Sequence, residues 1–163
     1  MAGVTRWELR GRIAVKGPRA AWQAHLVWRQ HPGRFEIDLL SAFGQHLARL
    51  RGDAGGIELL LPEGQRYRAR DAESLLQERL GWSLPLAGLY HWVRGVPVPG
   101  EGRRRVLDAA GRLAALEQQG WRIDYGRYRS ADGFMLPGKV VLVRKGLRLR
   151  LVVDRWTLET VKG

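Results

Sequence analysis

The sequence contains no cysteine, which excludes disulfides, thiol chemistry and any cysteine-ligated zinc or iron–sulfur site. It also has no run approaching the roughly 18 uninterrupted apolar residues that a membrane-spanning helix needs. Its first residues, MAGVTRWELRGR, lack the apolar core of a signal peptide. We therefore expect a soluble, globular chain that is either cytoplasmic or has lost a targeting segment.

Acidic residues are in short supply, because 16 Asp and Glu stand against 28 Lys and Arg, for a formal charge of +12. Such a positive field attracts phosphate-rich or anionic partners, so nucleic acid binding has to be considered. Most of the arginines alternate with other residues along the chain, however, and Gly102 to Arg105 is the one dense cluster. This distribution favours solvated strand faces.

Residues with catalytic chemistry are scarce too. None of the four serines lies in a nucleophile-elbow context, and the four histidines lack the spacing of metal ligands. The segment GFMLPGKV resembles a phosphate-binding loop, but Val140 replaces the hydroxyl that would hold magnesium and Pro137 removes a backbone donor. It predicts a plain turn. We expect a protein that is not an enzyme and uses no cofactor or metal.

What the sequence does have is alternation of apolar and polar residues, the period of a strand with one buried face. In WELRGRIAVK (Trp7 to Lys16), tryptophan, leucine, glycine, isoleucine and valine share one face, and charged residues share the other. The same period recurs in AWQAHLVWRQ and RFEIDLL, followed by shorter candidates in QHLARLRG, GIELLLPEG and QRYRA. Turn sequences separate these segments, which predict a six-stranded antiparallel meander after a short extension of residues 1–6.

The period then becomes helical. RDAESLLQERLG predicts a first helix with Asp71 as its N-cap and Gly81 as its stop, and SLPLAGLYHWVRG predicts a second, with Pro85 in its first turn and Gly95 after its end. VPVPGEGRRR predicts an extended linker. RLAALEQQG is compatible with helix or strand, but the turn QQG before WRIDYGRY favours a hairpin, and KVVLVRKGLRLRLVVDRWTL predicts two further strands.

These elements predict one domain, residues 1–163, that is mainly β with a few α-helices. An antiparallel sheet of about ten strands tends to curl, so we expect an unclosed β-barrel. Two helices are too few to coat its outside, and the helical insertion at 71–94 is expected to cap a concave apolar cavity as a lid. The predicted lining consists of Trp22, Trp28, Phe35, Ile37, Leu39, Leu59, Leu61, Leu75, Leu76, Leu89, Trp92, Val93, Trp121, Ile123 and Tyr125.

The stretch GQRYRARDAESLLQERLGWSLPLAGLYHWVRGVPVPG (Gly64 to Gly100) resembles the LolB family of outer-membrane lipoprotein receptors. The likeness continues in LLSAFGQ, QQGWRIDYGRY and MLPGKVVLVRKGLRLRLVVDRW, and it spans roughly Trp7 to Leu158. The resemblance implies a non-enzymatic receptor that accepts lipoproteins from a periplasmic carrier, LolA. It would hold their acyl chains in the apolar cavity and release them into the inner leaflet of the outer membrane.

The resemblance also gives a role to the hairpin tip Ala42, Phe43 and Gly44, where turn chemistry alone would favour small polar residues. The family presents a bulky apolar residue in this loop, tied to the transfer of cargo into the membrane, and Phe43 is the matching position. The plain structural alternative is that Phe43 folds back onto the sheet as a minor core residue.

Two family features are missing here, the signal peptide and the lipid-modified cysteine, and we expect them to have been trimmed from the front of this chain. The implied location is the periplasmic face of the outer membrane, and a monomer is expected. Two other functions remain open. One is a single-stranded nucleic-acid-binding β-barrel module, which needs aromatic rings on the same face as the arginines. The other is an enzyme for small apolar substrates.

Overall fold

The computed structural model describes residues 4–18, 21–80 and 85–160. Within these ranges six strands come first: β1 (Val4–Lys16), β2 (Ala21–His31), β3 (Arg34–Leu40), β4 (His46–Asp53), β5 (Gly56–Leu60) and β6 (Arg66–Ala69). Two helices follow, α1 (Ala72–Leu80) and α2 (Leu86–Trp92). The remaining strands are β7 (Arg104–Leu107), β8 (Leu113–Gln118), β9 (Trp121–Gly126), β10 (Arg129–Ala131), β11 (Phe134–Leu136), β12 (Lys139–Arg144) and β13 (Leu147–Thr160).

Eleven strands form one sheet in the order β6-β5-β4-β3-β2-β1-β13-β12-β9-β8-β7, and β10 and β11 form a separate hairpin. The order ends in β6 and β7, so the sheet is not closed into a barrel. The predicted fold class, mainly β with an unclosed antiparallel sheet interrupted by two helices, is confirmed.

Burial in β1 follows the predicted alternation. Trp7, Leu9 and Ile13 are buried, with Gly11 buried between them, while the arginines that separate them are exposed. The strand begins at Val4, which is buried too, so residues 4–6 of the predicted extension belong to β1. Gly11 is required by a close approach, because a Cβ at this position would overlap the carbonyl oxygen of Val152 on β13.

Two segments differ from the sequence prediction. β7 begins at Arg104, inside the segment predicted as a linker, and its four side chains are all exposed. The segment has no apolar alternation, and it is a strand because its backbone pairs with β8. In GFMLPGKV (Gly133 to Val140), predicted as a plain turn, Gly133 does turn with a positive φ, as does Asp132 just before it, but Phe134–Leu136 then forms β11. The predicted hairpin of β8 and β9 is confirmed.

The start of α1 and the end of α2 lie where the sequence predicted them. The Asp71 carboxylate accepts hydrogen bonds from the Ser74 hydroxyl (2.6 Å) and the Glu73 backbone N–H (3.0 Å), and these bonds hold the pKa of Asp71 below its ordinary value. After α2, Gly95 takes a positive φ of 75° and donates its N–H to the Trp92 carbonyl oxygen at 3.0 Å. Gly81, the predicted stop of α1, lies outside the described residues.

The chain divides into two compact units, and the division falls within β1, β2 and β13. Of the described residues, the first unit contains 4–10, 24–80, 85–86 and 155–160. Its interior includes a cluster of tryptophans, in which the ring centroid of Trp7 lies 5.1 Å from that of Trp28 and 5.3 Å from that of Trp156. In this unit α1 packs against β6.

The second unit contains residues 11–18, 21–23 and 87–154. Trp92 is fully buried in it, and a Cβ on Gly88 would come within 2.5 Å of the indole ring, so the glycine makes room for the tryptophan one helical turn later. The Tyr125 hydroxyl donates to the Trp92 carbonyl oxygen at 2.8 Å. Burial raises the pKa of Tyr125 well above its ordinary value.

Candidate functional site

Phe43 stands in a five-residue turn, Ser41 to Gln45, that satisfies its own backbone. Ser41 donates its N–H to the Gln45 carbonyl oxygen (2.8 Å), and Gly44, with a positive φ of 81°, donates to the Ser41 carbonyl oxygen (3.0 Å). The Ser41 hydroxyl oxygen accepts from the N–H groups of Phe43 (3.3 Å) and Gln45 (3.2 Å). The turn therefore holds its shape without help from the phenyl ring.

The Phe43 side chain is 94% exposed, and Ala42 and Gly44 on either side of it are exposed as well. The ring does not fold back onto the sheet, which was the plain structural alternative. The phenyl ring therefore gains no stabilisation from burial within this chain and is accessible from solvent.

Two other turns share this geometry. In Leu61 to Gln65 and in Asp108 to Arg112, the first residue donates to the carbonyl oxygen of the fifth (3.0 and 2.8 Å), and a glycine at the fourth position donates back to the first (3.1 and 3.0 Å). The third position, which Phe43 occupies in its own turn, is Glu63 in one and Ala110 in the other, both exposed. The backbone geometry of this turn therefore does not require an aromatic residue.

The Glu63 turn leaves the sheet at the same end as the Phe43 turn. β4 begins at His46, just after the Phe43 turn, and β5 ends at Leu60, just before the Glu63 turn, and the two strands are antiparallel neighbours. Leu47, at the start of β4, is also 42% exposed. This end of the sheet thus presents two exposed large apolar side chains.

A recess of about 330 Å³ opens at the same end. It is lined by His46, Ala48, Arg49, Arg51, Leu60, Leu61, Pro62 and Arg66. None of these except Leu61 was singled out from the sequence, because the recess arises from the register of β4, β5 and β6 and no local pattern marks it.

A larger recess of about 840 Å³ lies toward the opposite end of these strands. Its lining includes five arginines, at positions 29, 34, 51, 68 and 70, together with Glu36, Asp53, Glu58 and His31. Three of these arginines form salt bridges with carboxylates of the same sheet face.

That polar face carries a ladder of opposite charges across β2 to β6. The register aligns Arg29, Glu36, Arg51, Glu58 and Arg68 in one row, and Nε of Arg51 lies 3.1 Å from Glu36 Oε2 while Nε of Arg68 lies 2.8 Å from Glu58 Oε2. Much of the positive charge is therefore spread over solvated strand faces, as the alternation predicted.

In the neighbouring row Asp38 is buried between two arginines. Nε of Arg49 lies 2.5 Å from Asp38 Oδ1, and Nη1 of Arg29 lies 3.2 Å from Asp38 Oδ2. The hydrogen bond to Asp38 is the largest cause of the raised pKa of Arg49. The Asp38 carboxylate and the two guanidinium groups therefore pair with one another, and this pairing stabilises the sheet.

The fifteen residues predicted to line an acyl cavity lie mostly in the interior. Eleven are buried, and Trp22, Phe35, Leu61 and Tyr125 are half-buried. Of the fifteen, Phe35 lines the larger recess and Leu61 the smaller one. They divide between the units: Trp22, Leu89, Trp92, Val93, Trp121, Ile123 and Tyr125 belong to the second, and the other eight belong to the first.

Five of the six tryptophans in the described part of the chain are buried, and Trp22 is half-buried, so these rings do not form an exposed stacking surface. Trp7, Trp28, Trp92, Trp121 and Trp156 are buried, whereas the arginines that alternate with them on the strands face outward. Within the described ranges no three His, Asp or Glu side chains come together in a way that could hold a metal ion. No helix among the described residues is long and apolar enough to cross a membrane.

Comparison with known proteins places the chain in one family. The family described as "Outer membrane lipoprotein LolB" matches residues 5–156. An outer-membrane lipoprotein LolB of Pseudomonas aeruginosa is 40% identical over 150 residues, covering 92% of this chain and 73% of the relative. The protein of the same name from Nitrosococcus oceani is 42% identical over 153 residues, covering 93% and 76%.

Solved structures agree on the fold. A LolA superfamily protein from Nitrosomonas europaea superposes with a TM-score of 0.61 at 9% identity, covering 98% of this chain and 88% of that one. A DUF1329 family protein from Desulfovibrio piger superposes with a TM-score of 0.65 at 9% identity, covering 99% and 89%. The open sheet, the two helices and a family match over most of the sequence lead to one conclusion: this chain belongs to the LolB family of outer-membrane lipoproteins.

Proposed function

We propose that this protein accepts lipoproteins from a LolA-type periplasmic carrier, holds their acyl chains among its buried apolar side chains, and releases them into the outer membrane through the Phe43 turn. The observation that carries the proposal is the 94% exposure of Phe43 in a turn whose backbone does not need it. The family and the LolA-like fold support the receptor role.

The energetics of the turn suit brief contact. A phenyl ring that enters the lipid interface contributes up to ~1.5–3 kcal/mol, which orients the protein but does not anchor it. A receptor that delivers cargo has to leave the bilayer surface between turnovers or change its orientation there, so weak insertion is what delivery requires.

The acyl site has to open before it can be filled. Eleven of the fifteen predicted lining residues are buried, among them Leu75 and Leu76 of α1 and Trp92 of α2. Each acyl methylene that is taken out of water contributes about 0.8 kcal/mol, so an acyl chain can offset the separation of packed side chains. Displacement of the helical segment 71–94 is the proposed route, on the timescale of lids.

In this proposal the transfer needs no nucleotide hydrolysis, because each acyl chain moves from a weaker binding site to a tighter one. The carrier must bind them less tightly than this chain, and the bilayer must bind them more tightly. The formal charge of +12 favours docking to an acidic face of the carrier, and this attraction weakens as salt rises. A monomer is sufficient for both steps.

The test is a two-step transfer of a lipid-modified protein, from a LolA-type carrier to this chain and then to phospholipid vesicles. With Phe43→Glu, we expect receipt from the carrier to be unchanged and release into vesicles to slow about tenfold, the rate equivalent of the lost insertion energy. Ala110→Glu is the matched control, because it places the same charge at the same position of an equivalent turn. Native release by Phe43→Glu, or equal slowing by Ala110→Glu, would falsify the role of the ring.

A further inference from the structure

The recess beside the Phe43 turn combines apolar walls with an arginine, Arg66, that forms no salt bridge within the described part of the chain. Its lining begins at His46, three residues after Phe43, and continues through Leu60, Leu61 and Pro62 to Arg66. Both turns that border it, Ser41 to Gln45 and Leu61 to Gln65, leave the sheet at the same end. A surface that contacts Phe43 therefore approaches the end of the sheet at which this recess opens.

The charge in the recess comes from a break in the alternating ladder. In one row Glu58 lies between Arg51 and Arg68 and forms a salt bridge with Arg68. In the next row, nearer the Phe43 turn, the corresponding residue between Arg49 and Arg66 is Leu60. Arg49 is already held by Asp38. Among the described residues no carboxylate forms a salt bridge with Arg66, which is exposed.

Arg66 and His46 are thus the groups available to an anion at this end. A guanidinium binds a phosphate through two parallel hydrogen bonds, and an imidazole lining the same recess supplies one more donor. Leu60, Leu61 and Pro62 provide an apolar wall beside them. A volume of about 330 Å³ is at the small end for ligand pockets, so it fits a headgroup rather than a whole lipid.

We propose that this recess binds the phosphate of a membrane phospholipid, through Arg66 and His46, while Phe43 contacts the acyl layer. This inference rests on the proposed function, because it requires the Phe43 end to face the bilayer. It adds a chemical preference to that function: the delivery step favours surfaces rich in anionic phospholipid. The larger recess is a weaker candidate because it lies toward the opposite end of these strands from Phe43, and three of its five arginines, Arg29, Arg51 and Arg68, are paired with carboxylates.

The test measures binding of the full chain to phosphatidylcholine vesicles with and without phosphatidylglycerol, for native protein, Arg66→Gln and Arg68→Gln. The two variants remove the same charge from the same strand, two residues apart, and Arg68 is the one already paired with Glu58. General attraction to an anionic surface predicts equal losses, at most about fivefold each. A phosphate site predicts a loss of about tenfold or more for Arg66→Gln alone. Equal losses overturn the proposal.

A second readout separates a lipid headgroup from free phosphate. The imidazole NMR signals of His46 are followed while short-chain phosphatidylglycerol or inorganic phosphate is added. We expect the lipid to shift them at concentrations where inorganic phosphate does not, because the apolar wall contributes only with the lipid. An equal response to both identifies a free phosphate site and rejects the lipid. No response to either rejects the site altogether.

Measurements of Phe43→Glu and Arg66→Gln on the same vesicles distinguish a failure of the headgroup site from a failure of the receptor function. If Phe43→Glu slows cargo release while Arg66→Gln behaves like Arg68→Gln, the headgroup site is wrong and the membrane role of Phe43 stands. If Phe43→Glu releases cargo at the native rate, the proposed function fails whatever Arg66 does. Thermal unfolding of each variant checks that it folds, and since Arg66 is exposed we expect native midpoints.

Discussion

Nε1 of Trp92 donates a hydrogen bond to Oε1 of Gln118 over 2.9 Å, and both side chains are buried. The same oxygen accepts from the backbone N–H of Val98, and Nε2 of Gln118 donates to the Val98 carbonyl oxygen, each at 2.9 Å. One amide on β8 therefore holds both the last residue of α2 and the segment that follows the helix. A buried amide with all these partners specifies a single arrangement of the segment.

The first prediction concerns this amide. Gln118→Leu keeps a similar volume but leaves the Trp92 indole N–H and both Val98 backbone groups without partners. We expect it to lower the free energy of unfolding by about 2–4 kcal/mol in urea titrations. Gln65→Leu, at an exposed position that ends a turn, is the control and should change stability by less than about 0.5 kcal/mol. If Gln118→Leu and Gln65→Leu were equally stable, the hydrogen bonds of Gln118 to Trp92 and Val98 would not stabilise the fold.

The second prediction separates the two phenylalanines of the first unit. Phe43→Glu should leave the free energy of unfolding within about 0.5 kcal/mol of native, because the ring contacts solvent and the equivalent turn carries Glu63. Phe35→Glu should lower it by about 3 kcal/mol or more, since that ring packs beside Trp28 and over Gly52. Chemical denaturation measures both. A large loss in Phe43→Glu would mean that the exposed ring is a structural element.

The third prediction tests the close approach of β1 and β13. Gly11→Ala places a methyl group against the Val152 carbonyl oxygen, so we expect a loss of about 2–3 kcal/mol. Gly126→Ala, in β9, meets open space and serves as the control, with a change below about 1 kcal/mol. Thermal or urea unfolding compares them. If both variants lost the same free energy of unfolding, the close approach of Gly11 to Val152 would not be what requires a glycine at position 11.

The fourth prediction is a loss of stability in alkali. Burial, and then the charge of Asp108, raise the pKa of Tyr128 from its ordinary 10 to about 12, and its hydroxyl donates to the Leu113 carbonyl oxygen at 2.8 Å. Above pH 10 the unfolded chain loses this proton while the folded chain keeps it, so the free energy of unfolding falls as the pH rises from 10 to 12. Tyr128→Phe should make the fall shallower in urea titrations across that range. A native slope in the variant would reject the assignment.

Sequence reasoning succeeded wherever one residue's environment follows from its neighbours along the chain. The alternation of β1 predicted which side chains are buried, and Asp71 and Gly95 predicted where a helix begins and ends. It missed β7 because Arg104 to Leu107 carries no apolar alternation and is a strand only through its partner β8. It missed the recess lined by His46 and Arg66 because those residues are twenty positions apart and share a recess only through the pairing of β4, β5 and β6.

Local pattern alone thus determined the mainly β character, the two helices and the faces that turn inward, because period and capping depend on residues a few positions apart. The family resemblance pointed to Phe43, but its exposure was decided by the closed turn that holds it, while Phe35, the same side chain, is half-buried beside Trp28. Strand register decided that Leu60, and not a carboxylate, lies between Arg49 and Arg66 in their row of the sheet. These outcomes depend on contacts between distant segments, which local pattern cannot encode.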